Sequence, residues 1–168
     1  MADVADRFIE NNAAHAERHG DVHLDVQPSL QVAVVTCMDS RIDVFAALGL
    51  ENGQAHILRN GGGVITDDVI RSLALSQRKL GTREIVLIHH TDCGLGKVTD
   101  DGFRAELQED VGMPPPFAIE SFTDVEASVR GSIARVRNSP FLAHRDKVRG
   151  FVYDVDTGRL TEVDPAAS

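Results

Sequence analysis

Three short apolar runs rich in β-branched residues, 30–36, 55–59 and 84–88, alternate with helical patterns, and this alternation constrains the fold more than any other feature. The first, Leu30-Gln31-Val32-Ala33-Val34-Val35-Thr36, is the near-continuous apolar run expected of a strand buried on both faces. Between the runs, Val44–Leu48 reads as a short helix. Asp67–Leu80 reads as a longer one, with Val69, Leu73 and Leu80 along one face and Thr66 as its N-cap. Further on, 123–137 is a helical pattern, and 148–155 followed by Asp156-Thr157-Gly158 and 160–163 reads as a closing hairpin. The expected fold is therefore α/β: a doubly wound, mostly parallel sheet of order 2-1-3-4, with a C-terminal edge hairpin and flanking helices.

Two segments stand outside this core pattern. Residues 97–122 are acidic around Pro114-Pro115-Pro116 and read as a short helix and surface loop that cover the domain. In the N-terminal segment 1–22, residues 3–19 form a helical pattern whose apolar stripe is only Val4, Phe8 and Ile9. So thin a stripe gains little on its own domain, which points to packing across a second subunit.

A length of 168 residues with 42% hydrophobic content supplies one packed core, so 1–168 is expected to be a single domain. A net charge of −9 disfavours nucleic acid and anionic membranes as partners, because both require concentrated Lys and Arg. No apolar run is long enough for a membrane helix, and Met1-Ala2-Asp3-Val4-Ala5-Asp6 has neither the basic start nor the apolar core of a secretion signal. The expected location is cytoplasmic. Two cysteines in a reducing compartment are buried apolar residues or thiols with a chemical task, rather than a disulfide.

Those cysteines lie in Cys37-Met38-Asp39-Ser40-Arg41 and His90-Thr91-Asp92-Cys93-Gly94, at the ends of the first and third apolar runs. In a sheet of order 2-1-3 these runs are neighbours, and their following connections open a crevice at the carboxyl ends. Cys37, His90 and Cys93 would meet there as three zinc ligands, leaving one tetrahedral corner open, as in reactive rather than structural sites. Strand alternation sends His89 to the opposite side, where a bond to backbone or solvent is expected. Asp39 and Arg41 follow Cys37 closely enough to form a bidentate pair beside the metal. An ordinary surface ion pair would be worth about 0–1 kcal/mol. Beside a zinc weakened as an acid by two thiolates, the pair has a further use, which is to orient the nucleophile.

Cys-x-Asp-x-Arg, then Arg59-Asn60-Gly61-Gly62-Gly63, then His-x-x-Cys-Gly resemble, in this order and spacing, the β-class carbonic anhydrases of short bacterial type. The resemblance covers residues 30–100 strongly and the flanking helices weakly. It departs at Gly62, where the family usually has Ala, and at His89, where it often has Gly. It implies one zinc ion per subunit on Cys37, His90 and Cys93, with the Asp39–Arg41 dyad beside it. It also implies reversible hydration of carbon dioxide to bicarbonate and a proton, by attack of a zinc-activated hydroxide. Asp39 would accept the hydroxide's hydrogen bond, while Arg41 keeps Asp39 ionised and away from the zinc. In some family members the same aspartate leaves its arginine and closes the metal site. Activity is accordingly expected to rise with pH.

Gly61, Gly62, Val64 and Phe45 lie just beyond two of the motifs and are the candidates for bordering the substrate pocket, with core packing the alternative for Val64 and Phe45. The expected assembly is a homodimer, or a tetramer. Two other functions fit the same residues: a hydrolase of carbonyl sulfide or carbon disulfide, and a zinc-binding or redox-sensing protein without turnover. Neither Asn60-Gly61-Gly62-Gly63 nor Gly94-Leu95-Gly96-Lys97 completes a phosphate-binding pattern. His15, His19, His23, His56 and His144 show no spacing that suggests a second metal.

Overall fold

The apolar run after Pro28 becomes the central strand β1 (Val32–Cys37), buried along almost its whole length. This computed structural model describes residues 3–20 and 22–167; residues 1, 2, 21 and 168, which the single-domain and N-terminal-segment expectations include, lie outside them. Strands β2 (Ala55–Asn60) and β3 (Glu84–His90) run parallel to β1 on either side. Strand β4 (Val148–Tyr153) runs parallel to β3, and β5 (Leu160–Glu162) returns antiparallel on β4. The order is β2-β1-β3-β4-β5, as the alternation of runs predicts. Strand β1 starts two residues later than expected, because Gln31 takes a left-handed φ of 53° and leaves Leu30 54% exposed. Strand β3 continues past Ile88 through both histidines.

Five α-helices accompany the sheet among the described residues: α1 (Val4–His19), α2 (Val44–Leu48), α3 (Asp67–Leu80), α4 (Asp100–Val111) and α5 (Val125–Asn138). The Thr66 hydroxyl accepts from the Val69 amide at 3.3 Å and starts α3, which Gly81 ends in the left-handed conformation. One sheet face, with Ala33, Val35, Ile85 and Leu87, packs against Leu73 of α3 and Val129, Ile133 and Val136 of α5. Each such buried aliphatic side chain contributes roughly 1.5–3 kcal/mol. Gly150 permits this packing: a Cβ there would lie 2.3 Å from Val129 Cγ1, so α5 rests directly on the β4 backbone. The other face collects Val34, Cys37, Ile42, Val44, Ile88 and Cys93, so both cysteines belong to this second, smaller apolar cluster.

Helix α4 and the loop after it occupy the 97–122 region, where the sequence predicts a cover. Helix α1 has no buried residue; Val4, Phe8 and Ile9 are 56%, 60% and 70% exposed. No helix among the described residues is long and apolar enough to cross a membrane.

Candidate metal centre

Registration of β1 with β3 brings the two cysteine motifs together. Thr36 pairs with Ile88, and its buried hydroxyl donates to the Ile88 carbonyl at 2.9 Å, locking the two strands where they end. The chain then leaves β1 through Cys37 and β3 through His90. The turn after His90 is tied to β4, since the Thr91 amide donates to the Tyr153 carbonyl at 3.0 Å and the Val155 amide to the Thr91 hydroxyl at 3.1 Å. Asp92 takes a φ of 52°, and this left-handed step swings Cys93 back toward Cys37.

The outcome is a buried cluster of Cys37, His90 and Cys93 whose ligand atoms all lie within 4.8 Å of one another. The two sulfurs are 4.0 Å apart. A tetrahedral zinc with Zn–S bonds near 2.3 Å sets its sulfurs about 3.8 Å apart, so the pair fits zinc and does not need a disulfide. His90 Nδ1 lies 2.8 Å from the Thr91 carbonyl, which only accepts, so Nδ1 carries the proton. In the neutral ring that leaves a lone pair on Nε2, which is buried and has no hydrogen-bond partner. An orphaned buried nitrogen beside two free thiols is the arrangement a metal completes.

The titration behaviour agrees. Burial would push the Cys37 thiol up, but the neighbouring His90 imidazole and the amides of Asp39 and Gly62 outweigh it and lower the thiol to about 7. Burial, with repulsion from the Cys37 sulfur, raises Cys93. Burial disfavours a charged His90, yet the Cys37 sulfur and the Thr91 carbonyl raise its pKa. Cys37 and His90 thus pull each other toward their charged forms, and a cation bound to both would take over that pull.

Arg59, at the end of β2, fixes the Cys37 loop. Its Nε donates to the Cys37 carbonyl at 2.9 Å, Nη1 to Ile42 at 3.2 Å and Nη2 to Asp39 at 2.6 Å. The Asp39 carboxylate points back to its own loop, receiving Arg41 Nε at 3.0 Å, Arg41 Nη2 at 2.8 Å and the Arg41 amide at 2.9 Å. These bonds hold its carboxyl well below the usual carboxylate range. Asp39 Oδ2 stands 3.8 Å from His90 Nε2, beside the cluster and paired with Arg41.

A cavity of about 320 Å³ opens over Cys37, Asp39 and Cys93. Gly61 and Gly62 border it, and its apolar wall comes from Met38, Leu95, Val98 and Phe103. The structure puts Phe45 and Val64 elsewhere. Phe45, on α2, is 41% exposed and does not line this cavity, whereas Val64 lines a separate one of about 280 Å³ with Ser132 and Arg135 of α5. Gly62 and Gly63 explain the difference, because their φ values of 79° and 70° turn the chain before Val64 is reached. Gly62 is also pressed by its neighbours, since a Cβ there would meet Leu95 Cδ2 at 2.5 Å.

His89 faces the opposite side, as strand alternation predicts, but solvent does not reach it. It is fully buried, with Nε2 3.4 Å from the Ser132 hydroxyl and its ring 5.8 Å from that of Phe122. Burial lowers its pKa to about 4, so it is neutral at physiological pH. Leu95, Val98 and Phe103 were not legible as site residues in the sequence, and Met38 and Arg59 stood inside the quoted motifs without an assigned role. For Leu95 and Val98 the only available signal is their place just after the second cysteine motif.

A family model described as carbonic anhydrase matches residues 32–113. A curated relative, beta-carbonic anhydrase 1 of Mycobacterium tuberculosis (strain ATCC 25618 / H37Rv), is 48% identical over 162 residues, covering 96% of this chain and 99% of the relative. The crystal structure of carbonic anhydrase from Streptococcus mutans superposes with a TM-score of 0.91 at 48% identity, covering 98% of this chain and 99% of that one. A carbon disulfide hydrolase of Acidianus sp. (strain A1-3) is 35% identical over 153 residues, covering 76% of this chain and 74% of that protein.

Proposed function

The chain belongs to the β-carbonic anhydrase family, and from that premise we propose that it catalyses the zinc-dependent, reversible hydration of carbon dioxide to bicarbonate and a proton. One observation carries the proposal: Cys37, His90 and Cys93 converge with the His90 Nε2 lone pair buried and unclaimed, and the two cysteines line an apolar-walled cavity. These three residues would hold one zinc ion per subunit. Zinc bound there supplies the Lewis acidity that makes water a nucleophile near neutral pH.

The chain's own residues do the rest. Met38, Leu95, Val98 and Phe103 offer an apolar surface to a small uncharged substrate and keep bulk water from competing for it. Asp39, held ionised by Arg41, is a hydrogen-bond acceptor that aims the attacking oxygen at the substrate carbon. Arg59 keeps that carboxylate in place by gripping the loop's carbonyls. The proton released by each hydration passes to buffer.

Stopped-flow assay of carbon dioxide hydration with a pH indicator tests the proposal. The wild-type protein should be active, and Cys93→Ser should lose both zinc and turnover. Faster turnover of carbonyl sulfide or carbon disulfide than of carbon dioxide would reassign the substrate. A zinc-loaded wild type inert toward all three gases would leave a metal-binding or redox-sensing protein.

The same proposal includes a homodimer and a cytoplasmic location, the latter supported by two free thiols at a reactive site. An isolated helix of 16 residues with no buried side chain is marginal in water, so α1 needs a partner surface for its exposed Phe8 and Ile9. Deleting residues 1–20 should lower the mass measured by sedimentation, and an unchanged mass would remove α1 from the interface.

A further inference from the structure

Arg41 serves two carboxylates. Beyond its bidentate bond to Asp39, its Nη1 donates to Asp92 Oδ2 at 2.9 Å and its Nη2 to the Asp92 carbonyl at 3.0 Å. The other Asp92 oxygen, Oδ1, is held by Lys97 at 2.7 Å. Asp92 therefore lies at the centre of a chain Lys97–Asp92–Arg41–Asp39 that ties the second cysteine motif to the first.

Two features give this chain a purpose. The Arg41 side chain is 44% exposed, and holding so long a side chain in one geometry costs rotamer entropy; without a second anchor it would trade its bond to Asp39 for water. Asp92 also takes a left-handed φ of 52°, a conformation that Gly or Asn meets at least as easily. The backbone turn alone does not call for a carboxylate at this position, whereas Arg41 does. The same turn aims the Asp92 carbonyl at Arg41, so side chain and main chain grip one guanidinium. The bonds to Asp39 and to Asp92 use separate N–H groups, so the two carboxylates cooperate in orienting Arg41 instead of competing for it.

We propose that Asp92 is a positioning residue: by pinning Arg41 it keeps Asp39 on its arginine and off the metal centre, and so sets how readily the site stands open. This rests on the reading of Cys37, His90 and Cys93 as zinc ligands and of Asp39 as the group able to close the site. Asp92 does not line the cavity over Cys37, Asp39 and Cys93, and it acts through Arg41.

Asp92→Asn is the test, because Asn tolerates the same backbone conformation and removes only the charge. The first readout is the Arg41 Nε–H signal in 15N NMR, assigned by its loss in Arg41→Lys. It should be slow to exchange in the wild type and fast in the variant. The second is the affinity of the cobalt-substituted protein for azide, followed by the visible bands of the metal. An Asp39 released onto the metal competes with azide, so binding should weaken by about tenfold, and kcat for carbon dioxide should fall with zinc content and melting temperature unchanged. Simple removal of a negative charge near the site has the opposite sign and would tighten azide binding. An Arg41 signal that stays protected, or azide affinity that is unchanged or tighter, overturns the proposal. If the wild type hydrates no carbon dioxide while the NMR and azide results hold, the catalytic reading fails and the positioning role stands.

Discussion

Gly63 is the position where a single methyl group tests how the metal centre is built. Its φ is 70°, and a Cβ there would stand 2.9 Å from the Cys37 amide nitrogen, 2.9 Å from the Thr36 carbonyl carbon and 3.0 Å from the Ile88 carbonyl oxygen. All three are backbone atoms of the two central strands, so no rotamer change relieves the contact. The left-handed conformation costs a residue with a Cβ about 1–2 kcal/mol. Overpacking against an unyielding wall adds about 1–3 kcal/mol. Gly63→Ala should therefore destabilise the protein by roughly 2–5 kcal/mol, which at this chain length lowers Tm by about 4–20 °C. Because the contact pushes on the Cys37 amide and on the β1–β3 seam, zinc affinity should fall as well. Gly61→Ala is the control: it lies two residues away with nothing within 4 Å of its Cβ, and it should change Tm by less than about 2 °C. Thermal unfolding at fixed protein concentration, with and without zinc, decides the matter. A Gly63→Ala protein that melts within about 2 °C of the wild type and binds zinc normally would refute the claim that this turn is wedged under the metal centre.

Three further outcomes follow from the same geometry. Arg59→Met removes all three bonds to the 37–42 loop, so kcat for carbon dioxide should fall at least tenfold while far-ultraviolet circular dichroism stays native; unaltered kinetics would show that the loop holds its shape without Arg59. Zinc binding requires both thiols deprotonated, and Cys37 titrates at about 7 with Cys93 above its ordinary value. Below pH 7 both thiols must release protons to the ion, so competition with a chelator should show affinity falling at least a hundredfold per pH unit. His89 is neutral in the fold down to about pH 4 but takes up a proton near 6.5 when unfolded, so the stability it contributes is complete above pH 6.5 and lost as pH falls toward 4. That difference is worth about 3 kcal/mol. Urea unfolding of metal-free protein between pH 7 and pH 4 should show His89→Gln losing less stability than wild type by roughly that amount.

The parts of this molecule legible in the sequence were those set by short-range pattern. The apolar run before Cys37 and its counterpart before His90 imply neighbouring parallel strands, and their order places Cys37, His90 and Cys93 in one crevice. Period-two alternation likewise separated His89 from His90. What sequence did not reveal depends on direction after a strand ends. Phe45 and Val64 are close in sequence to the motifs, but the positive φ values at Gly62 and Gly63 send the chain away from the cavity before Val64. The cavity wall comes instead from Leu95, Val98 and Phe103, whose positions depend on how the chain returns over the sheet through α4. Arg59 opens the second motif of the resemblance, but its task is not written there: only the folded loop supplies the three carbonyls that it grips. The double hold on Arg41 depends in the same way on a left-handed turn at Asp92.

X-ray absorption at the zinc edge of the purified protein, with metal content measured on the same sample, tests the central claim most directly. We expect one zinc per subunit with two sulfur neighbours and one imidazole nitrogen, and loss of one sulfur in Cys93→Ser where any zinc is retained. A wild-type protein with no tightly bound zinc, or with zinc whose neighbours include no sulfur, would contradict the assignment of Cys37, His90 and Cys93.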